Sequence, residues 1–229
     1  MVYDGLATRI SAEYNMLLFA LSGRYHQVRA PGVEVTPKAL TELMVDAYVL
    51  GSTFYSAAIG LIDAYLQPLL LDASDELVVE IESCLKRVKM QIVKMVNGNV
   101  RQIGKLARTG VSDYSSMLKS THGATGLLVQ KLVGTVQFRA TDTSGRFWDS
   151  RTLMHTIVRD FAYQQWLNAQ FDAILRDGID LAVGYRFPDD YVLTFSITGD
   201  TSGYDKLADI RSTIFHPNST TMVKQYVSS

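Results

Sequence analysis

The sequence predicts a mainly helical protein with a smaller α+β part at its C-terminal end. Apolar residues recur every three to four positions through most of the first 134 residues. Between residues 135 and 229, two stretches of alternating polarity surround turn residues instead. Helix start and stop signals separate these segments. We therefore expect a helical, bundle-like part over residues 1–134, and an α+β part with one long helix and a hairpin over residues 135–229.

Composition limits the classes of function. Of 229 residues, 47% are hydrophobic and 20% charged, which excludes wholesale disorder. The net charge of −1 argues against a small basic nucleic-acid module. A single cysteine, Cys84, cannot form a disulfide within the chain. The first residues lack a basic segment, and polar residues interrupt the apolar run 57–71, so we expect neither a signal peptide nor a membrane span.

Two helices are expected before residue 68. The first covers about residues 5–22, with Gly23 as its stop. A loop follows, and Thr36 and Pro37 then mark the start of a second helix as N-cap and first helical residue. That helix should end near Gln67, because Pro68 follows. Small residues in it would let another backbone approach closely: Gly51, Ser52, Ser56, Ala57, Ala58 and Gly60.

Asp72 or Ser74 should cap a third helix, which begins at the DELVVE stretch and ends at Gly110. Its apolar positions follow a spacing of three to four residues, which Asn99 interrupts. A helix of this length reaches ~50 Å, which favours a bundle or an interface between subunits. Gly98 is expected to kink or break it.

The rest of the chain mixes elements. We expect a short helical piece and a glycine-rich joint over residues 111–133, then a short strand over 136–140. A helix should run from Ser150 to about Arg176, capped by Asp149 or Ser150 and ended by Gly178. Residues 179–187 and 191–198 read as a hairpin, and the tail from residue 199 as a loop with one turn near 206–211.

Basic residues concentrate on the third helix, in a span without acids: Lys86, Arg87, Lys89, Lys94, Arg101, Lys105 and Arg108. Four of them lie seven residues apart and therefore share one stripe beside the apolar seam: Arg87, Lys94, Arg101 and Arg108. Lys105 lies one turn before Arg108, and we count it with this basic stripe. Such a stripe can follow a phosphate backbone without reading base sequence. It is equally typical of a solvated face, or of one paired with an acidic neighbouring subunit.

Catalytic patterns are not found in the sequence. It contains no G-x-S-x-G, Walker A or G-x-G-x-x-G motif and no H-x-x-x-H pair. His155 falls inside a predicted helix. Aspartates 177, 180, 189 and 190 surround the hairpin, where Asp is a common turn residue as well as a cation ligand. We expect a protein that is not an enzyme and that uses no metal and no cofactor.

A turn-rich stretch, DTSGRFWDS, leads into the helix at Ser150. Asp142 can cap its own turn, and Gly145 permits a positive φ. Arg146 and Trp148 place a planar cation beside a large aromatic ring. Three uses compete: a staple at the helix start, a protein–protein hot spot, or a platform on which a nucleotide stacks.

The pattern D-x-x-G-R-x-W, followed by a helix with an internal arginine and then D-G-I-D-L-A-V, resembles tailed-phage minor head proteins related to the F protein of phage Mu. The resemblance covers about residues 142–183 and is carried by Asp142, Gly145, Arg146, Trp148, Arg159, Gly178, Asp180 and Leu181. Many members of that family continue into a region with paired cysteines. This chain has none there, so a metal site of that type lacks its ligands.

The resemblance implies a non-enzymatic structural protein of the virion, assembled in the host cytoplasm and located at the head and portal vertex. Its expected partners are portal or capsid subunits, further copies of itself, and DNA through the basic stripe. One alternative is a connector or adaptor ring between head and tail. Another is a nucleotide-binding enzyme domain in the C-terminal part, with Arg146, Trp148 and Arg159 in its pocket.

Overall fold

The computed structural model describes residues 2–30, 33–109, 136–142, 144–186, 190–216 and 219–227. In these residues the chain is mainly α-helical with a small β part, which confirms the predicted fold class. The helices are α1 Val2–Val28, α2 Pro37–Leu70, α3 Asp75–Thr109, α4 Ser150–Arg176 and α5 Leu207–Ile214. The strands are β1 Arg139–Thr141, β2 Phe147–Asp149, β3 Leu181–Arg186, β4 Asp190–Ser196, β5 Asp205–Lys206 and β6 Met222–Gln225.

The chain forms two compact units. One comprises Thr8–Leu61 and Lys89–His155, and we call it the hairpin unit because it contains the hairpin of β1 and β2. The sheet unit comprises Met1–Ala7, Ile62–Val88 and Thr156–Ser229. Each unit takes segments from both sides of residue 134, where the sequence suggested a boundary, because α1, α2, α3 and α4 each contribute residues to both units.

The hairpin unit has a helical core. Its helices begin as the sequence predicts: Thr36 Oγ1 accepts a hydrogen bond from Ala39 N at 3.1 Å, and Pro37 is the first residue of α2. The rings of Tyr14 and Phe54 pack 5.2 Å apart. Gly51 lets α2 and α3 approach closely, since a Cβ there would lie 2.8 Å from a methyl group of Val96.

Two glycine substitutions should therefore have opposite effects. Gly51→Ala is expected to lower the free energy of unfolding by about 1–3 kcal/mol, because the new methyl group overpacks the contact with Val96. Gly98→Ala, in α3, should raise it by about 0.5–1 kcal/mol, because nothing lies within 4 Å of its Cβ position and alanine favours helix. Urea unfolding of both variants measures the difference. A Gly51→Ala protein as stable as the Gly98→Ala protein would contradict the close approach.

The sheet unit contains a four-stranded sheet of order β5-β4-β3-β6. Strands β3, β4 and β6 pair antiparallel, and β5 pairs parallel with β4. Three phenylalanines pack edge to face in its core, with ring centroids 5.6–6.0 Å apart: Phe171, Phe195 and Phe215. Gly178 ends α4 as predicted, with a φ of +76°. The Gly178 N–H donates a hydrogen bond to Leu175 O, and the Ile179 N–H donates one to Ile174 O. These two bonds form a Schellman motif.

Two predicted helix ends were wrong, and the break considered at Gly98 does not occur. Helix α1 continues through Gly23 to Val28, and contacts beyond the glycine favour this, including an ion pair of Arg24 with Asp46 at 3.3 Å. Helix α2 passes Pro68 and ends at Leu70, because a proline in the last turn removes only one backbone hydrogen bond. Helix α3 is continuous through Gly98, which is exposed and causes no break in the helix.

Two strand predictions were also wrong. The strand expected over 136–140 lies at 139–141 and pairs with β2, which the sequence analysis did not predict. The tail is not a loop with one turn but contributes β5, α5 and β6. The expected helical piece over 111–133, the stop at Gly110 and the tip of the hairpin at 187–189 lie outside the described residues.

One helix of the described chain, α2, is long and apolar enough to cross a membrane by length and composition alone. A core helix of a soluble protein passes the same test. Six of its side chains, spaced four or seven residues apart, are buried: Leu43, Ala47, Phe54, Ala58, Ile62 and Leu66. Of the 18-residue window that passes the test, 28% is buried.

Candidate functional site

The motif that carries the family resemblance forms the turn of the β1–β2 hairpin. Ala140 pairs with Trp148 across the strands. Backbone bonds close the turn, from Asp142 N to Arg146 O at 3.0 Å and from Gly145 N to Asp142 O at 3.1 Å. Gly145 has a φ of +81°, a conformation that side-chain-bearing residues rarely adopt. Glycine at this position of the motif is therefore explained by the turn itself.

The carboxylate of Asp142 is the hub of this hairpin. Its Oδ1 accepts bonds from the Ser144 N–H at 2.9 Å, the Ser144 hydroxyl at 2.7 Å and the Arg146 N–H at 2.9 Å. Its Oδ2 accepts bonds from Arg146 Nε at 2.9 Å and Trp148 Nε1 at 2.8 Å. Five donors saturate the two oxygens. The Ser144 hydroxyl, then the Trp148 indole and the Arg146 groups, hold the pKa of Asp142 well below its usual range although burial opposes them.

The side chains of Arg146 and Trp148 both make their contacts within this turn. The guanidinium carbon of Arg146 lies 5.7 Å from the Trp148 ring centroid and covers one face of the ring. The indole N–H already has Asp142 as its acceptor. This geometry favours the staple among the three uses considered for the motif, because the cation and the ring face are used within the hairpin.

Asp142 should make stability depend on pH in a specific window. A carboxyl whose folded pKa is depressed contributes stability that is present above its unfolded pKa of ~3.9 and is lost as pH falls through the folded value. Asp142→Asn places an amide N–H₂ against donors, so the variant should be less stable at pH 7. The difference from the wild type should shrink steadily below pH ~4.

Urea unfolding at several pH values between ~7 and ~3 measures this. Asp200→Asn is the matched control, because Asp200 is exposed and its carboxylate accepts no hydrogen bond from the described residues. A difference between Asp142→Asn and the wild type that stays constant from pH ~7 to ~3 would show that the ionised carboxylate is not what holds the hairpin.

The hairpin continues into α4 through a capped junction. Asp149 Oδ1 accepts bonds from Arg151 N at 3.0 Å and Thr152 N at 3.3 Å, so Asp149 is the N-cap of α4. Gln102 of α3 bridges to the start of β1, since its amide donates to Gln137 O and accepts from Arg139 N. The motif is thereby fastened to α3 and to the start of α4.

A buried polar network, which sequence reasoning had noted only as an interruption at Asn99, lies beneath this junction. Asn99 is fully buried; its side-chain amide donates to the Tyr14 hydroxyl, and its carbonyl accepts from Ser150 Oγ at 3.2 Å. Burial raises the pKa of the Tyr14 hydroxyl, although bonds with Ser150 and Asn99 oppose the rise. The network joins α1, α3 and α4 with all three polar groups paired, and it sets their register.

The basic stripe of α3 is solvent-exposed. Arg87 belongs to the sheet unit, where it donates to Cys84 Sγ at 2.9 Å. The other four predicted contacts belong to the hairpin unit and are exposed: Lys94, Arg101, Lys105 and Arg108. Arg101 Nε and Arg108 Nε each donate a hydrogen bond to a backbone carbonyl of α3 four residues earlier. Both side chains are exposed, so their terminal guanidinium N–H groups can reach a ligand in solvent.

An additional arginine fixes the end of this helix. Arg29, just after α1, donates to Ala107 O at 2.7 Å and Arg108 O at 2.8 Å. These carbonyls belong to the last turn of α3, where helix geometry leaves them without partners. The cation also complements the negative end of the helix dipole. Arg29 was not singled out from the sequence, because no local pattern connects it to a helix about eighty residues away.

The remaining motif positions serve separate purposes in the sheet unit. Arg159 donates to Asp4 Oδ1 at 2.9 Å and ties α4 to the start of α1. Burial raises the pKa of its neighbour Asp160, while a bond with Gln164 and the charge of Arg159 limit the rise. Asp142, Gly145, Arg146 and Trp148 therefore meet in one hairpin, and Arg159 has a partner within the other unit.

Asp180 is the second saturated carboxylate. It accepts bonds from the Thr201 hydroxyl at 2.6 Å, the Thr198 N–H at 2.7 Å, the Thr198 hydroxyl at 2.8 Å and the Ser196 hydroxyl. Burial disfavours its charge, but the bonds from Ser196, Thr201 and Thr198 outweigh burial and lower the pKa of Asp180. Its surroundings are hydrogen-bond donors, which is the environment of a turn rather than of a cation.

A serine–histidine pair was missed by the sequence analysis. Ser11 Oγ and His155 Nδ1 lie 3.1 Å apart, on α1 and α4. In acyl-transfer triads, the histidine contacts serine through one ring nitrogen and a carboxylate through the other. No acid–histidine bond accompanies this pair in the described part of the chain. The pair therefore ties two helices together and lacks the third group of a triad.

A groove of about 470 Å³ is open on the sheet unit. Its polar side chains bond one another: Arg211 donates to Gln164 Oε1 at 3.2 Å and to Asn168, and Asn168 donates to Glu80 Oε1 at 2.8 Å. The Arg211 guanidinium also lies over the Phe171 ring at 6.0 Å. These contacts hold α5 against α4. The polar side chains of the groove are therefore hydrogen-bonded to one another and stabilise the fold.

Within the residues that the structure describes, no group of three or more His, Cys, Asp and Glu side chains is arranged to hold a metal ion. Comparison with protein-family models, with curated protein sequences and with solved structures finds no match to this chain.

Proposed function

We propose that this chain is a non-enzymatic structural protein of a tailed-phage virion, placed at the head and portal vertex, where it binds portal or capsid subunits. The observation that carries the proposal is the Asp142 hairpin. Four of the eight residues that carry the resemblance, Asp142, Gly145, Arg146 and Trp148, meet in a single hairpin turn, where Asp142 accepts hydrogen bonds from Arg146 and Trp148. The motif is thus a unit of architecture, as expected where a family shares a scaffold rather than a reaction.

The helical part supports an assembly role. Long helices expose apolar side chains on more than one side, including Phe19, Val49 and Met90, each more than half exposed. Large apolar side chains exposed on long helices favour contacts with other proteins. Each polar cluster described above consists of side chains that satisfy one another, which is an arrangement for rigidity.

Particle composition tests the proposal. Mass spectrometry of purified virions should detect this polypeptide at a fixed copy number relative to the portal subunit. Pull-down of the full chain should retain portal or capsid subunits, and an Asp142→Ala variant should retain less of them, because the hairpin loses its hub. A chain that is absent from virions and ignores both subunits in pull-down would overturn the proposal.

DNA contact belongs to the same proposal and rests on the exposed basic stripe in the hairpin unit. If the stripe neutralises DNA phosphates, the logarithm of affinity should fall linearly with the logarithm of salt concentration. The slope of the logarithm of affinity against the logarithm of salt concentration is about −0.9 for each phosphate that is neutralised. Replacing Lys94, Arg101, Lys105 and Arg108 with alanine should therefore make this slope less negative by roughly 3 to 4.

Filter binding at several salt concentrations measures the slope. The control variant is Arg9→Ala/Lys38→Ala, which removes two exposed basic residues elsewhere and should leave the slope unchanged. Equal slopes for the wild type and the four-residue variant would mean that the stripe does not contact DNA, and that part of the proposal would fall.

The connector or adaptor ring remains the alternative, because the same exposed helices would serve contacts between identical subunits. Mass photometry separates the two: a closed ring of many copies favours the connector, and a monomer or small oligomer favours the minor head protein. The nucleotide-binding alternative is disfavoured, because Arg146 and Trp148 are used within the hairpin and Arg159 pairs with Asp4.

A further inference from the structure

Helices α2 and α3 of the hairpin unit are antiparallel neighbours. A Cβ at Gly104 would meet the side chain of Met44, and one at Gly51 would meet that of Val96, so the contacts run in opposite directions along the two helices. Two open cavities, of about 190 and 240 Å³, lie along this contact, and each is lined by residues of both helices.

The two cavities follow one another along a single groove. On α2, five lining residues recur every three or four positions: Leu40, Met44, Tyr48, Gly51 and Tyr55. On α3, five others do the same: Val93, Val96, Val100, Gly104 and Arg108. Residues with this spacing lie on one side of a helix. Residues 40–55 and 93–108 each rise about 22 Å, and we call the space between them the α2–α3 groove.

The groove has an apolar floor and polar groups at its edge. Val96 and Val100 are buried in the floor, whereas Tyr48 is 52% exposed and Val93 is 37% exposed. The hydroxyls of Tyr48 and Tyr55 form no hydrogen bond with the residues that the structure describes. Tyrosine offers an apolar ring and a polar tip, which suits a contact that is dry at its centre and wet at its edge.

The α3 wall of the groove is positively charged. Arg108 lines the groove, and Lys94 and Arg101 each follow a lining valine in the sequence. All three side chains are exposed, and none forms an ion pair with the described part of the chain. A ligand in the groove therefore lies beside a row of cations on this wall.

The α2 wall adds no net charge. Helix α2 has no charged residue between Asp46 and Asp63, so the wall is uncharged over residues 47–55. Nearer the start of the helix, Lys38 and Glu42 pair with each other at 3.9 Å. The groove is thus basic on one side and neutral on the other.

We propose that the α2–α3 groove binds an amphipathic helix of another protein, with small apolar side chains on the floor and acidic side chains along α3. The occupant is a helix because the groove walls are helices, which offer no free strand edge to an extended peptide. About four turns of helix fit along a groove of about 22 Å. Complementary charge identifies the acidic flank of the partner.

This inference deepens the proposed function and rests on it for the bearer of the helix, a portal or capsid subunit. The two can fail separately, because the peptide measurements below test the groove alone, whereas the composition of virions tests the role. DNA would contact the same cations through its phosphates without entering the groove. Changes to the floor of the groove therefore separate a bound helix from bound DNA.

Two synthetic peptides of about 18 residues test the proposal. They share a helical seam of alanine and leucine and differ in one flank, which carries glutamate in the acidic peptide and lysine in the basic peptide. Isothermal titration of the full chain should give a dissociation constant below ~1 mM for the acidic peptide, at least roughly tenfold lower than for the basic peptide. Binding of the acidic peptide should weaken as salt rises.

Charge reversal tests the α3 wall. Lys94→Glu/Arg101→Glu should reverse the preference, so that the basic peptide binds more tightly than the acidic one. Arg9→Glu/Arg151→Glu is the matched control, because it makes the same change in net charge at exposed positions on α1 and α4. The control should keep the preference for the acidic peptide. Circular dichroism melts that match the wild type establish that both variants fold.

Ser52→Trp tests the floor. Ser52 is exposed and lines the groove next to Gly51, so the indole should occupy the space of the peptide seam and weaken binding of the acidic peptide at least roughly tenfold. DNA affinity and its salt dependence should not change, because a duplex does not enter the groove. Hydrogen exchange should show added protection of residues 40–55 and 93–108 when the acidic peptide is bound.

The proposal is overturned by a wild type that binds neither peptide at ~1 mM, or that binds both equally. It is also overturned if the α3 wall variant keeps the preference for the acidic peptide, or if Ser52→Trp leaves its binding unchanged or tighter. Flotation with anionic lipid vesicles that Ser52→Trp abolishes would assign the groove to a lipid surface instead. Self-association that Ser52→Trp abolishes would assign it to a second copy of this chain, and either result overturns the proposal.

Discussion

Replacing Phe195 with alanine is expected to lower the free energy of unfolding by about 3–5 kcal/mol, the largest effect of any substitution considered for this chain. Phe195 is fully buried on β4 and packs edge to face against Phe171 and Phe215, with centroids at 6.0 and 5.6 Å. Truncation removes the buried ring area, leaves a cavity and breaks both aromatic contacts. Urea unfolding gives the free energy and its slope.

The control is Tyr191→Ala on the same strand. Tyr191 is 67% exposed and its main contact is a long hydroxyl bond to Thr194 at 3.4 Å. Its loss should cost below about 1 kcal/mol, the usual contribution of a cross-strand pair. If the two variants lose the same stability, the three phenylalanines are not the core of the sheet unit.

Replacing Asn99 with alanine should cost about 2–4 kcal/mol. The change leaves a cavity and removes the partner of two buried hydroxyls, on Tyr14 and Ser150. Asn97→Ala is the control from the same helix, because the Asn97 side chain is only partly buried and makes no hydrogen bond to the described residues. That change should stay within about 0.5 kcal/mol.

A double-mutant cycle separates packing from hydrogen bonding at this site. Asn99→Leu fills the space but removes one of the two partners of the Tyr14 hydroxyl, which keeps Ser150. Adding Tyr14→Phe removes that hydroxyl, so the double variant should recover part of the stability lost in Asn99→Leu. Strict additivity of the two changes would indicate that the bond between them contributes nothing measurable.

The start of α4 shows how much of the site was readable from the sequence. Ser150 as first helical residue and Gly178 as stop were predicted correctly, and Asp149 is the cap out of the two candidates, Asp149 and Ser150; each depends on backbone geometry within a few residues. The turn chemistry of Asp142 and Gly145 was also readable for this reason. Strand β2 was missed, because pairing depends on Arg139 and its neighbours ten residues earlier.

Helix ends elsewhere were decided by tertiary contacts. Gly23 and Pro68 are local stop signals worth at most a few kcal/mol, and the helices pass both. The tail formed β6 because β3 offered it a partner edge, as in the bond from Tyr226 N to Leu181 O at 3.0 Å. A pairing between segments about forty residues apart leaves no periodic signal in either one.

The sequence by itself determined that the chain is mainly helical, where α2, α3 and α4 begin, and that α3 carries an acid-free basic stripe. These features follow from local backbone preference and from the periodicity of one element. Only the tertiary structure decided that Asp142 saturates its carboxylate with Ser144, Arg146 and Trp148. It also decided that Asn99 joins three helices, and that α1 and α2 pack antiparallel through Tyr14–Phe54 and Arg24–Asp46. Each of these depends on distances between residues that the order of the chain does not specify.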